Sequence, residues 1–173
     1  MTTVILILMM LMFMTSVRAD AIRTAGDYLQ IAIPAWALGR AAGAQDVQGL
    51  RQMSTGLALN LAATQGIKLA TDQTRPDGGN LSFPSGHTSA AFQGAAFVHR
   101  RYGWEEAWPL YAGAAFVGYS RVHARRHYWR DVIAGAALGI TVSWVTATPR
   151  QSDGLSFWVA PDSAMVSYTT TWR

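Results

Sequence analysis

Three short clusters in the middle of the chain carry side chains suited to a phosphate group, and each falls at a break or a helix end. The first is Lys68 with Arg75-Pro76. A lysine offers a compact point charge, and an arginine offers a planar fork for two phosphate oxygens. A cation near a helix C-terminus is also what offsets a helix dipole, so this cluster alone decides little. The second is Pro84-Ser85-Gly86-His87. Gly86 lets backbone come close to a ligand, and amides at a helix N-terminus favour an anion. His87 would stand in the first turn, where it can protonate a leaving oxygen; a plain cap with an exposed histidine is the alternative. The third is Ser120-Arg121 followed by His127-Tyr128-Trp129-Arg130-Asp131. On a helix, residues four apart share one face. A carboxylate that accepts from one imidazole nitrogen fixes the tautomer and leaves the other nitrogen as a nucleophile. Arg121 adds a further guanidinium. An ordinary surface His–Asp pair has the same spacing.

Other chemistries are excluded or unsupported. There are no cysteines, which removes thiolate metal sites, disulfides and a cysteine nucleophile. His123 and His127 form an H-x-x-x-H pair, but no glutamate follows the first, and Arg125 and Arg126 between them would repel a dication. No metal ligand set and no cofactor is therefore expected. His99 with Arg100 and Arg101 reads as a charge cluster at a helix C-terminus. Trp104, Trp108, Tyr128 and Trp129 read mostly as core or boundary side chains. The net charge is +4, with the basic residues scattered rather than interleaved with aromatics, so no nucleic-acid partner is expected. An anionic small molecule or lipid head group fits better.

Taken in order, Lys68-x6-Arg75-Pro76, then Pro84-Ser85-Gly86-His87, then Ser120-Arg121-x5-His127-x3-Asp131 resembles the three-part signature of the phosphatidic acid phosphatase type 2 (PAP2) superfamily. That superfamily also holds bacterial non-specific acid phosphatases and vanadium haloperoxidases. The likeness runs from Lys68 to Asp131 and covers every signature position. It implies that Lys68, Arg75 and Arg121 hold the phosphoryl oxygens, helped by Ser85 and the Gly86 amide. It implies that His127 attacks phosphorus, that Asp131 orients and polarises His127, and that His87 protonates the leaving group. Three cations and backbone dipoles would then offset the phosphoryl charge without a metal. The resemblance also implies an α-helical bundle with the site at one end. Two positions depart from the common pattern. Arg125 stands where many relatives have a small residue, often glycine, and Arg130 where serine or threonine is common. Either cation would lower the pKa of His127 if it faced the ring, or be a solvated arginine if it did not.

The elements that must position these groups read as helices separated by short breaks. Ile22 to Ala42 is helical in character, with Pro34 expected to kink or restart it. Val47 to Thr71 has leucines near helical spacing. Arg75-Pro76-Asp77-Gly78-Gly79-Asn80 is a loop. A helix follows with Ser85 as N-cap and Thr88 to Val98 in its body, ending before Gly103. Glu105 to Tyr119 and Tyr128 to Thr146 complete the set. Ser156 to Ala160 and Met165 to Trp172, around Pro161-Asp162-Ser163, read as a hairpin or extended tail.

The expected fold is all-α: a single-domain helical bundle over residues 20–173 with a short extended or hairpin C-terminal tail. Residues 1–19 read as a signal peptide, since Val4 to Met14 is an unbroken apolar run followed by small residues around Ala19 and Ala21. No basic residue precedes that run, and an uncleaved anchor is the alternative. Location outside the cytoplasm, in a periplasm or at the outer face of an inner membrane, follows. The expected function is metal-independent hydrolysis of a phosphomonoester or diphosphate, of a lipid or a small ester, with association at a membrane surface. A broad-specificity soluble acid phosphatase and a non-catalytic phospholipid-binding module are the competing readings.

Overall fold

The computed structural model describes residues 2–150, 154–160 and 162–169, with side chains over 20–150 and 162–166. Five helices are followed by a two-stranded antiparallel hairpin. The helices are α1 (Thr2–Gly43), α2 (Val47–Thr71), α3 (Gly86–Tyr102), α4 (Trp104–His123) and α5 (Trp129–Thr146). The strands are β1 (Gly154–Ala160) and β2 (Ser163–Thr169), with Ala160 paired to Ser163 across the turn.

Local chemistry accounts for most helix ends. The Asp46 carboxylate caps α2 by accepting from the Gly49 N–H at 2.9 Å. Ser85 caps α3, as its sequence predicts. Gly103 closes α3 and opens α4 with φ of 103°, in the region where a side chain would be strained. Two expectations shift. Pro34 does not restart a helix but lies within α1, which runs unbroken from Thr2. The fourth helix extends four residues beyond Tyr119, to His123, which carries Arg121 on its last turn rather than in a loop. Of the expected tail, Pro161 and residues 170–172 fall outside the described residues, and β2 begins at Ser163 instead of Met165.

α3 is the central element and packs against all four other helices. Its run from Gln93 to Val98 is buried on every face, as expected of a helix surrounded by others. Small residues let the partners come close. A Cβ added at Gly135 would lie 2.5 Å from the Ser85 carbonyl oxygen, and one at Gly139 would run into that of Ser89. The apolar core has two parts, one around Met53, Phe97 and Val98, the other around Ile33, Ala91, Ala95, Ala114 and Val117. Because α2 and α3 run antiparallel, Lys68 at the end of α2 and His87 at the start of α3 come to the same end of the bundle. The opposite end is closed by a buried ion pair, Arg101 Nη2 to Asp46 Oδ1 at 2.5 Å, with Tyr102 donating to the same carboxylate.

Candidate active site

At the first end lies a cavity of about 670 Å³. Six of the eight expected site residues line it: Lys68, Arg75, Gly86, His87, Arg121 and His127. Ser85 and Asp131 do not line it.

Each cation is held in place by backbone. Lys68 is buried, and its Nζ donates to the carbonyls of Leu81 at 2.5 Å and Ser82 at 3.3 Å. Burial, helped by the nearby Arg75 charge and opposed by Asp131, pushes Lys68 down to about 8. Arg75 belongs to a loop folded on itself: its N–H donates to the Gly79 carbonyl at 2.7 Å, and its Nε to that of Asn80 at 3.0 Å. Arg121 is buried at the end of α4, with Nε on Ser120 Oγ and Nη2 on the Arg23 carbonyl.

His127 is reached through a tight turn between α4 and α5. The N–H groups of Arg126 and His127 both donate to the Arg121 carbonyl, at 2.9 and 3.3 Å, and Arg125 turns the chain with φ of 53°. His127 therefore stands before the helix, not on its face as its spacing from Asp131 suggested. Asp131 sits in the first turn of α5, fully buried, and its Oδ2 accepts from the Tyr128 N–H at 3.0 Å and from Ser82 Oγ at 2.5 Å. That same Oδ2 faces His127 Nδ1 at 3.6 Å, so Nε2 is the nitrogen left for other chemistry. Burial is the largest influence on His127. With the Lys68 and Arg75 charges it pushes the ring down to about 4, against the pull of Asp131. The ring is thus neutral, with a lone pair available, near neutral pH.

His87 stands at the α3 N-terminus. Burial first, then the Arg121 charge, lowers its pKa from the ordinary 6.5, while Asp27 raises it. The cavity thus pairs a neutral imidazole with a second imidazole beside a carboxylate, ringed by cations. Such a set can bracket a tetrahedral dianion, attack it from one side and protonate from another.

Ser85 is placed differently from its expected role. Its buried hydroxyl caps α3 by accepting from the Thr88 N–H, lies 2.9 Å from Thr88 Oγ1 and does not line the cavity. Neither departing arginine lines the cavity, although Arg130 Nε lies 3.5 Å from Asp131 Oδ1. Arg130 is exposed, donates to Gln73 Oε1 at 2.7 Å and stacks over Tyr128. Arg125 is exposed at the turn. The arginine that joins the cavity is Arg126, paired with Asp77 at 3.0 Å. Away from the cavity, His123 stacks on Tyr119, and His99 packs among Trp104, Tyr111 and Trp144.

Sequence reasoning missed several groups. Arg23, Asp27 and Gln30 of α1 line the cavity, as do Asn60 and Thr64 of α2. Ser82 holds Asp131. No motif marks any of them, because each is brought in by packing of a distant segment.

Comparison with known proteins gives the same frame. The family model described as the PAP2 superfamily matches residues 49–153, more than half of the chain. A lipid A 1-phosphatase of Porphyromonas gingivalis is 42% identical over 91 residues, covering 50% of this chain and 20% of that protein. A lipid A 4'-phosphatase of Helicobacter pylori is 31% identical over 112 residues, covering 58% and 54% respectively. The chain thus spans between a fifth and about half the length of these two relatives. The crystal structure of Aquifex aeolicus LpxE superposes with a TM-score of 0.63 at 21% identity, over 77% of this chain and 85% of that one, a likeness of fold.

Proposed function

The chain belongs to the PAP2 superfamily, and on that footing we propose that it is a phosphatase that hydrolyses a lipid phosphomonoester or diphosphate through a phosphohistidine on His127. The observation that carries this reading is the joint lining of one cavity by His87, His127, Lys68, Arg75 and Arg121. His127 Nε2 attacks phosphorus and the ester P–O bond breaks, its electron pair leaving on the substrate oxygen. His87 gives that oxygen its proton. Water then attacks the phosphohistidine, passing a proton to the now neutral His87, and releases phosphate and free His127. Lys68, Arg75 and Arg121 neutralise the equatorial oxygens, which is why the reaction is proposed to need no cation from solution.

Support for a lipid comes from apolar residues in the cavity lining. Leu57, Leu61 and Ala90 line it beside the charged groups, so one chamber offers both a phosphate cradle and apolar surface. Tyr28, Ile31, Leu59, Leu61 and Leu69 of α1 and α2 are exposed, more apolar surface than a water-facing helix pair needs. Among the described residues no helix is long and apolar enough to cross a membrane. On this proposal the chain attaches at a lipid surface outside the cytoplasm through the apolar run from Val4 to Met14.

The test is phosphate release from a dispersed lipid monophosphate and from lipid A, in excess EDTA, by the wild type and by His127→Ala and His87→Ala. The wild type should turn over in EDTA, with His127→Ala inactive and acid-labile phosphate trapped on the wild type alone. Unchanged turnover by His127→Ala, or complete loss with EDTA, overturns the mechanism.

A further inference from the structure

α1 reaches the cavity because Gly26 lets it lie directly on α4: a Cβ there would run into Ser120 Oγ and come within 2.7 Å of Arg121 Nη2. One turn of α1 then presents two groups to the site. The Arg23 carbonyl accepts from Arg121 Nη2 at 2.7 Å, and Asp27 Oδ1 accepts from Arg121 Nη1 at 2.5 Å. The same Asp27 oxygen stands 3.2 Å from His87 Nε2. Asp27 is the one carboxylate among the residues lining the cavity, an odd choice for a chamber built to receive an anion unless it serves a cation already there.

Resting on the phosphatase reading, we propose that Asp27 is a positioning residue for the general acid: its carboxylate holds His87 by Nε2 in the imidazolium form, leaving Nδ1–H to protonate the leaving oxygen. The site then contains two His–Asp pairs with opposite tasks. Asp131 serves a buried histidine that must be neutral to attack. Asp27 serves a half-exposed histidine that must carry a proton. The need for it follows from the surroundings of His87. Arg121 from α4 and Arg75 from the loop press toward the neutral ring, and Arg23, Lys68, Arg126 and His127 share the cavity. Asp27 is the group that opposes them. Its bond to Arg121 fixes the carboxylate, so its charge stays beside the ring while substrate enters.

The experiment compares Asp27→Asn and Asp27→Glu with the wild type on two esters, an alkyl phosphate and p-nitrophenyl phosphate. An alkoxide leaves only with a proton, whereas p-nitrophenolate leaves nearly unaided, so loss of acid assistance separates them. Asp27→Asn should lose on the order of tenfold or more in kcat on the alkyl ester and much less on the aryl ester. The alkaline limb of its pH profile should move to lower pH, because His87 without the carboxylate gives up its proton more readily. Asp27→Glu should restore the limb in part. Equal losses on both esters with an unmoved limb, or a loss confined to KM, would show that Asp27 merely props Arg121 and overturns the proposal. If instead the phosphatase reading is at fault, the wild type itself releases no phosphate from either ester, or His127→Ala stays active.

Discussion

His127 Nδ1 stands 3.6 Å from Asp131 Oδ2, beyond hydrogen-bond length, while Ser82 Oγ holds that same carboxylate oxygen at 2.5 Å. Neither His127 Nδ1 nor Asp131 Oδ1 has a hydrogen-bond partner among the described residues. The carboxylate is fixed by Ser82 and the Tyr128 N–H, with Arg130 Nε 3.5 Å from Oδ1, and it sets the charge that Nδ1 faces. Orientation of the nucleophile then depends on Ser82 through Asp131. Ser82→Ala should lower kcat about ten- to a hundredfold, the size of a lost hydrogen bond to a charged group at about 1.5–3 kcal/mol. KM should stay near the wild-type value, since Ser82 does not line the cavity. Steady-state kinetics on a soluble aryl phosphate measures both, and a change in KM alone would contradict the assignment.

The two imidazoles predict an acid pH optimum. His127 must be neutral to attack, so kcat/KM rises as pH climbs through its lowered value, about 4. His87 must be protonated, so activity falls as pH climbs through a value below the ordinary 6.5. The bell between these limbs lies on the acid side of neutrality. A rate profile taken on p-nitrophenyl phosphate checks the lower limb, and one on an alkyl ester checks the upper. An optimum on the alkaline side would mean that these two imidazoles are not the base and acid of the reaction.

How much of this was legible in the chain itself depends on whether a contact is local. Most helix ends and the Ser85 cap are set by neighbours in sequence, and they were readable. Lys68, Arg75, His87, Arg121 and His127 were readable because their order and spacing resemble a family pattern. Asp27 and Ser82 were not. Asp27 acts only because Gly26 lets α1 settle on α4, ninety-odd residues away in sequence. The choice among Arg125, Arg126 and Arg130 was equally hidden. A single left-handed residue in the turn decides which of them faces the cavity, and no periodicity reports that. Ser85 was open to two uses, and the one the fold displays is the helix cap.

The far end of the bundle should govern stability without touching chemistry. Asp46 is buried, which acts to raise its pKa, but the Arg101 guanidinium with the Gly49 N–H and Tyr102 hydroxyl holds it well below the ordinary carboxylate range. Arg101→Ala leaves that charge buried and unpaired, and should cost about 3–5 kcal/mol. The sign with pH is specific. In the wild type a lowered carboxylate contributes stability that is present above the ordinary value of 3.8 and drains as pH falls below it. In the variant burial is opposed only by the Gly49 N–H and the Tyr102 hydroxyl, so Asp46 rises from its wild-type position and the deficit should shrink as acid neutralises the carboxylate. Urea unfolding of both proteins at pH 7 and at pH 3 measures this. A deficit that grows on acidification would mean the pair is not what closes this end.

Arg125 tests whether the turn before His127 carries strain. A non-glycine residue at φ of 53° is in the left-handed region, where L-residues cost about 1–2 kcal/mol. Glycine would relieve most of that, at some loss to chain entropy in the unfolded state. Arg125 is exposed and does not line the cavity, so Arg125→Gly should gain up to about 1 kcal/mol and raise Tm by about 2–4 °C, with the pH profile unmoved. Arg126→Ala should behave in the opposite way. Arg126 lines the cavity, and its guanidinium pairs with Asp77 at the surface, where solvent screening leaves an ion pair little weight in stability. Its loss should therefore leave Tm nearly unchanged and raise KM for the phosphate ester. Calorimetry and kinetics on the two variants side by side distinguish a residue that shapes the turn from one that meets the substrate. A raised KM in Arg125→Gly with none in Arg126→Ala would reverse that assignment.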